Sequence, residues 1–546
     1  MALDIIKLLK DHPELVLFVL LALAYLIGNI RIGNLELGAP PGMLIAGLIF
    51  GHFGFNLFEG IETIGLFFFL YAVAFQAGPG FFTVVLPDGF KYIALAAIAT
   101  VVGFILTYIF TQVFQFDSGT AAGLLAGSLT SPAGVAAALE TAPSEMSQNI
   151  SISYALTYLI GDIAVLLLAR NLPKVFRFDL IAQSRQAAQE KNVNEADDDD
   201  RNGYDWSLTL RSYQVNNPSL VGKNLFDFQN LTDCLVLRHK TRDGLMTEFE
   251  PATIMQLGDR LLIWGPIAQQ DILDQLFGAE VADAELLNLK IVTQDITINK
   301  EKAIGKDLEK LGIHDDYACH VTKITRSGIN LQINPELDIS RGDVLTISGP
   351  EKNLEKLTQA IGYAERDFNA TDLVTFAGGV VAGFLLGQIT IDIGGINIGL
   401  GSAGGLLFVG IILGHLRSIH PTFGRVPPAT LWIFKELGLL FFLAGVGVEA
   451  GHGFAEAVNR LGLPIFLSSL VIATLPVIAV FLYGIYILKM NPALLLGATT
   501  GAVTCTPAMA AVSADARSSI PTIGYAGTYA FATVMQAIAA SLMTLI

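Results

Sequence analysis

Eight stretches of this chain, residues 15–30, 62–78, 92–114, 150–169, 373–389, 431–448, 463–488 and 521–546, are apolar. Each comes close to the length a helix needs to cross the hydrocarbon of a bilayer, about 20 residues. Two shorter Gly-rich stretches, 40–54 and 401–416, adjoin them. Runs of this kind leave few options, because in lipid every backbone N–H and C=O must be satisfied inside the span and a helix does that alone. Composition agrees: 52% of the 546 residues are hydrophobic and 15% charged, too apolar for a soluble enzyme of this size. A lipid bilayer is therefore the first partner. The formal charge of −16 argues against nucleic acid. Part of that charge lies in 197-DDDD-200, inside a polar stretch, 181–203, that reads as a disordered linker. Lys7 and Lys10 precede the first apolar run as in a signal peptide, but that run passes straight into the next, so it reads as a retained helix. Cys234, Cys319 and Cys505 lie far apart and form neither a disulfide framework nor a metal motif, and no cofactor is expected.

The apolar part is written twice. The stretch 46-AGLIFGHF-53 returns as 409-VGIILGHL-416, and 67-FFFLYAVAFQAGPGFF-82 returns as 440-LFFLAGVGVEAGHGFA-455. Further on, 127-GSLTSPAGVAAA-138 matches 501-GAVTCTPAMAAV-512, and 153-SYALTY-158 matches 524-GYAGTY-529. Matches in one order at nearly constant spacing mark a duplication. Between the halves, residues 205–362 change to short alternating runs, and these repeat as well. There 221-VGKNL-225 with 257-LGDRLLIWGP-266 returns as 304-IGKDL-308 with 341-RGDVLTISGP-350. Each copy reads as a small α+β unit in which a Gly-Asp turn leads into a strand. The expected domains are a first membrane repeat over 1–178, an acidic linker over 179–204, two subdomains over 205–280 and 281–365, and a second membrane repeat over 366–546.

Each half carries six apolar segments, and the fifth decides the topology. Residues 119–140 hold four glycines, one proline and four Ser or Thr, poor material for a lipid-facing helix but suited to a re-entrant hairpin buried in protein. Five crossings plus a hairpin invert the second half relative to the first. Under this topology Arg31, Lys91, Arg417, Arg425, Lys435, Lys489 and Arg517 face inside, while Lys7, Lys10 and Arg460 face outside. The middle of the chain is then cytoplasmic and both termini are periplasmic. The expected fold class is a polytopic α-helical membrane protein of two inverted repeats, each of about five transmembrane helices plus a re-entrant helical hairpin. A cytoplasmic α+β insert of two tandem subdomains separates them.

The hairpin motif carries the chemistry. Pro is favoured at the first helical position and Ser or Thr just before it, so Ser131-Pro132 and Thr506-Pro507 each read as the start of a half-helix. Turns at Thr130 and at Thr504-Cys505 precede them, and Gly127 and Gly501 allow close backbone approach. Free N–H groups and a partial positive charge at such a start attract an anion. Close packing between helices is the plainer alternative. In 76-QAGPGFF-82 and 449-EAGHGFA-455 the glycines and Pro79 read as a helix terminus near the tips, with Gln76 and Gly78 as candidate contacts. Tyr154 and its register partner Tyr525 complete the candidate substrate contacts. Asp162, whose register counterpart is Thr533, is a carboxylate inside an apolar span. Either it couples transport to a proton or cation, or it makes a structural hydrogen bond to Tyr154 or Tyr158. His52 and His415 recur at matching helix ends and read as interfacial packing.

With its duplicated membrane half, its AGPGFF element and two central units carrying GDxL and a terminal Gly-Pro, the chain resembles the aspartate:alanine exchanger family. The central units resemble the C-terminal ligand-binding subdomains of potassium-conductance regulators (RCK type). The resemblance covers essentially the whole chain. It implies a bacterial inner-membrane exchanger, not an enzyme, that moves small anionic or zwitterionic solutes such as aspartate, alanine or succinate by elevator-type alternating access. It also implies a homodimer, with a nucleotide or other small ligand at the insert. Rival readings are a ligand-gated channel, a cation/proton antiporter and a membrane enzyme. No TVGYG filter is written here, the broken helices carry Ser, Thr and Cys in place of carboxylates, and no nucleophile, base and orienter set stands out.

Overall fold

The computed structural model describes residues 5–32, 35–190, 208–224, 234–248, 253–266, 270–314, 316–326, 329–331, 333, 337–364, 371–393, 396–399, 401–419, 424 and 426–546. The chain forms two compact units, residues 1–191 with 369–546 and residues 192–368.

The first unit is helical. Its first half runs α1 (Ile5–Asp11), α2 (Pro13–Gly28), α3 (Ala39–His52), α4 (Ile61–Phe114), α5 (Ser118–Ser128), α6 (Pro132–Thr141), α7 (Ser144–Phe176) and α8 (Leu180–Glu190). The second half runs α9 (Leu373–Gly387), α10 (Gly401–Ile419), α11 (Pro428–Tyr486), α12 (Pro492–Ala502), α13 (Thr506–Ala516) and α14 (Ile520–Met543). Leaving out α1 and α8, the two halves follow one order of elements, ending in a long helix, a broken pair and a further long helix. Among the described residues, Gly89–Phe114, Ser144–Phe176, Ala429–Tyr486 and Ile520–Met543 are long and apolar enough to cross a membrane. Pro13–Gly28, Ala39–His52, Ile61–Gln76, Leu373–Gly387 and Gly401–Arg417 are shorter apolar helices.

The expected helix ends at 76–82 and 449–455 are absent, because α4 and α11 continue through both. Packing explains the glycines there. A Cβ on Gly78 would stand 2.5 Å from the Ile411 carbonyl oxygen, and one on Gly451 would stand 2.5 Å from that of Leu48. Both glycines therefore seat a crossing helix. The 59-residue α11 breaks later, at Gly462 (φ 43°, ψ −135°), two residues before Pro464. The halves also touch through a self-matching pair. A Cβ on Gly65 would lie 2.6 Å from the Phe442 nitrogen, and one on Gly438 would lie 2.6 Å from the Phe69 nitrogen. Small residues let the two backbones meet.

Part of the expected linker is a helix. In α8, Leu180, Ser184, Ala187 and Ala188 are buried at i, i+4, i+7 and i+8, one face of a helix. Asn491 Nδ2 donates to the Gln183 carbonyl at 3.1 Å, which anchors α8 to the start of α12. The tetra-aspartate and the rest of 191–207 lie outside the described residues.

The second unit contains two antiparallel sheets. Strands β1 (Leu208–Gln214), β2 (Leu235–Lys240), β3 (Met246–Glu248) and β4 (Arg260–Pro266) pair in the order β1-β4-β2-β3. Strands β5 (Ile291–Ile298), β6 (His320–Arg326), β7 (Ile329–Leu331), β8 (Val344–Pro350) and β9 (Gly362–Ala364) pair as β9-β5-β8-β6-β7. The second order is the first with one strand added at an edge. In both copies the Gly-Asp turn has a left-handed glycine, Gly258 (φ 93°) and Gly342 (φ 86°), where a side chain would be strained. The following aspartate is buried and binds the turn. Asp259 accepts from Gln256 N at 2.9 Å and pairs with His239 Nε2 at 2.8 Å; Asp343 accepts from Ser340 N and from Arg326 Nη2, both at 2.7 Å. Cys234 and Cys319 prove to be equivalent, each buried against the glycine of the closing Gly-Pro, Gly265 and Gly349. Burial pushes the Cys319 thiol up to about 12.

Candidate functional site

The two hairpins meet tip to tip. Helix α5 gives way to α6 through Leu129–Ser131, and α12 gives way to α13 through Val503–Cys505. At the centre of each break stands a threonine with positive φ, Thr130 at 49° and Thr504 at 53°. A β-branched residue is strained there, by about 1–3 kcal/mol, and persists only where its surroundings hold it. The opposite tip supplies the hold. Thr130 Oγ1 donates to the Val503 carbonyl at 2.7 Å, and Thr504 Oγ1 donates to the carbonyls of Thr130 at 2.9 Å and Leu129 at 3.2 Å. Both hydroxyl protons are thus engaged between the tips.

The half-helix starts differ by one residue. Ser131 caps α6, its Oγ accepting from Gly134 N at 3.1 Å, and Pro132 opens the helix. In the second hairpin the cap position falls to Cys505, with Thr506 the first helical residue and Pro507 the second. The expectation of Thr506 as the cap is corrected by the extra residue between Thr504 and Pro507. Released from capping, the Thr506 hydroxyl bonds the Tyr525 hydroxyl at 2.8 Å. Cys505 Sγ reaches across the halves and donates to Asp162 Oδ1 at 3.2 Å.

Helices α7 and α14 bring the tyrosines to this point. Gly127 and Gly501 lie so close that a Cβ would stand 2.7 Å from the Tyr154 carbonyl oxygen and 2.5 Å from that of Tyr525. Tyr154 packs on Tyr158 and Tyr525 on Tyr529, with ring centroids 5.4 and 5.0 Å apart. Asp162 is 3% exposed. Its side chain takes the Cys505 thiol in place of the structural bond expected from Tyr154 or Tyr158. The Tyr154 hydroxyl is buried and has no hydrogen-bond partner among the described residues. Tyr154, Tyr158, Cys505 and Asp162 interact electrostatically as one group that includes Tyr529.

Gln76 is exposed and Gly78 packs on α10, so neither joins this group. Two residues that sequence reasoning passed over do bear on it. Gln536 Nε2 donates to the Ala502 carbonyl at 2.9 Å, bracing the second tip, where the first half has Val165 in register. Glu140, at the far end of α6, accepts from Ser402 N at 2.7 Å and from Ser402 Oγ at 2.8 Å, capping α10. Polar residues in apolar context were the available signal for both. Among the described residues there is no group of three or more His, Cys, Asp or Glu that can hold a metal ion.

Comparison with known families gives two matches. A family model described as Predicted Permease Membrane Region, Asp-Al_Ex, matches residues 16–174 and 375–545. A TrkA-C domain model matches residues 294–362, which cover most of β5 through β9. No solved structure matches the chain.

Proposed function

Because the chain belongs to the Asp-Al_Ex permease family and holds a TrkA-C domain between its two membrane segments, we propose that it is a secondary exchanger of small carboxylate-bearing solutes, amino acids or dicarboxylates, working by alternating access. The observation that carries this reading is the reciprocal bonding of two broken hairpins, one from each half, beside a buried carboxylate. A half-helix start attracts a solute's carboxylate by about 0.3–2 kcal/mol. Placing two starts from inverted repeats at one point lets either face of the membrane reach the same site. Tips held to each other by neutral hydrogen bonds can part and close again, since each such bond is worth about 0.5–1.5 kcal/mol net.

In this reading the halves are inverted repeats, the insert faces the cytoplasm of a bacterium, and both termini lie outside its inner membrane. Asp162 is held by a neutral thiol, and no cationic partner of it is found among the described residues, so its charge is free to be matched by a transported ammonium, proton or cation. The insert senses a small cytoplasmic ligand and tunes transport, as its TrkA-C match supports. Counterflow in proteoliposomes tests the core of the reading. Vesicles loaded with unlabelled alanine, aspartate or succinate should transiently concentrate the labelled solute. Flux without saturation or counterflow would instead mark a channel.

A further inference from the structure

The two half-sites share a frame, and one of their differences is a hydroxyl. Tyr154 and Tyr525 stand in register, each beneath its hairpin glycine and each packed on the tyrosine four residues on. Tyr525 gives or takes a hydrogen bond with Thr506, the first residue of α13. The residue in that place in the first hairpin is Pro132, which has no hydroxyl. Tyr154 is 0% exposed, and its hydroxyl has no hydrogen-bond partner among the described residues. The Thr506 bond directs the Tyr525 hydroxyl at the start of its half-helix, and by register the corresponding start for Tyr154 is that of the ten-residue α6. Two features of the first half-site favour a negative group, a phenol donor left unpaired among the described residues and the positive end of a helix. Ser131 Oγ accepts from Gly134 N and keeps its own proton to donate.

We infer that the Tyr154 hydroxyl donates to the carboxylate of the transported solute at the amino end of α6, so that the first tip holds the anionic group and the second tip, closed on itself through Thr506 and Tyr525, does not. This rests on the exchanger reading and adds a polarity to it. Asp162, on the same helix as Tyr154, then faces the solute's other end, which favours a zwitterion over a dianion.

The test is calorimetric binding of L-alanine, L-alaninamide and succinate to the purified full chain. A hydrogen bond to a charged group sets the expected size, so Tyr154→Phe should weaken alanine binding by roughly 10- to 100-fold. It should also erase the preference for alanine over alaninamide. Tyr525→Phe should change the affinity by less than about threefold, since its hydroxyl serves Thr506. Inserting a threonine between Ser131 and Pro132 copies the second tip, gives Tyr154 a partner, and should weaken binding as Tyr154→Phe does. Equal affinities for the parent and either first-tip variant would overturn the inference while leaving the exchanger reading intact. An equal loss in Tyr525→Phe would overturn the polarity. A parent that binds none of the carboxylates would remove the exchanger reading itself, and this inference with it.

Discussion

The two hairpins share a sequence and a shape, yet one is chemically closed and the other is not. In the second, Thr506 satisfies Tyr525, Gln536 braces Ala502, and Thr533 turns its hydroxyl to the Tyr529 carbonyl at 2.7 Å. At the matching places of the first stand Tyr154, unpaired among the described residues, an apolar Val165 and the buried carboxylate of Asp162. Duplication supplies a symmetric frame, and divergence at three positions makes its two sides chemically different. In the exchanger reading, a site that faces both sides of a membrane in turn still needs one orientation for an asymmetric solute, and this difference would supply it.

The comparison breaks most visibly at Asp162. Asp162→Asn should lower pH-driven accumulation at least tenfold, a change of about 1.4 kcal/mol or more, while counterflow of the same solute persists. Thr533→Val should leave both nearly unchanged. Uptake measured across a pH series with the two variants side by side decides this, and similar profiles would erase the distinction between halves.

The tips come next. Thr504→Val strips a donor from two buried carbonyls, so it should cost about 1–3 kcal/mol of stability, whereas Thr130→Val strips one. Combined in a double-mutant cycle in detergent, the pair should couple by about 0.5–3 kcal/mol. Additive losses would mean that the tips do not hold each other.

Smaller effects are expected at the far ends. Glu140 and Asp515 both lie eight residues beyond the hairpin proline. Glu140 caps α10, so Glu140→Gln should destabilise by roughly 0.3–2 kcal/mol. Asp515 instead makes a half-exposed pair with Arg170, 2.6 Å from its Nε, and Arg170→Ala should cost only about 0–1 kcal/mol. Thermal melts of both variants, run at low and high salt, would sharpen the contrast, with the reverse order of losses counting against it.

Much of this was legible in the sequence, for physical reasons that also explain the misses. Apolar runs and the duplicated small-residue motif announce helices and broken hairpins directly, since lipid forces the first and Ser-Pro grammar the second. The tandem Gly-Asp turns announce the insert, because glycine takes the left-handed position without strain and the buried aspartate binds its own turn. The continuous helix through 76-QAGPGFF-82 is not legible in the pattern, because a glycine inside a membrane helix serves a crossing, as Gly78 does, as readily as an end. Helix α8 was hidden in a polar stretch whose anchor, Asn491, comes 308 residues later than Gln183. The Cys505 bond to Asp162 spans 343 residues and joins the two halves, a distance over which local pattern says nothing.

A structure of the full chain at saturating alanine decides whether the first tip alone holds the solute's carboxylate. A carboxylate is expected at the start of α6, about 3 Å from the Tyr154 hydroxyl oxygen, with the Thr506–Tyr525 bond unbroken. Density for the carboxylate at Thr506 and Tyr525, or away from both tips, would contradict it.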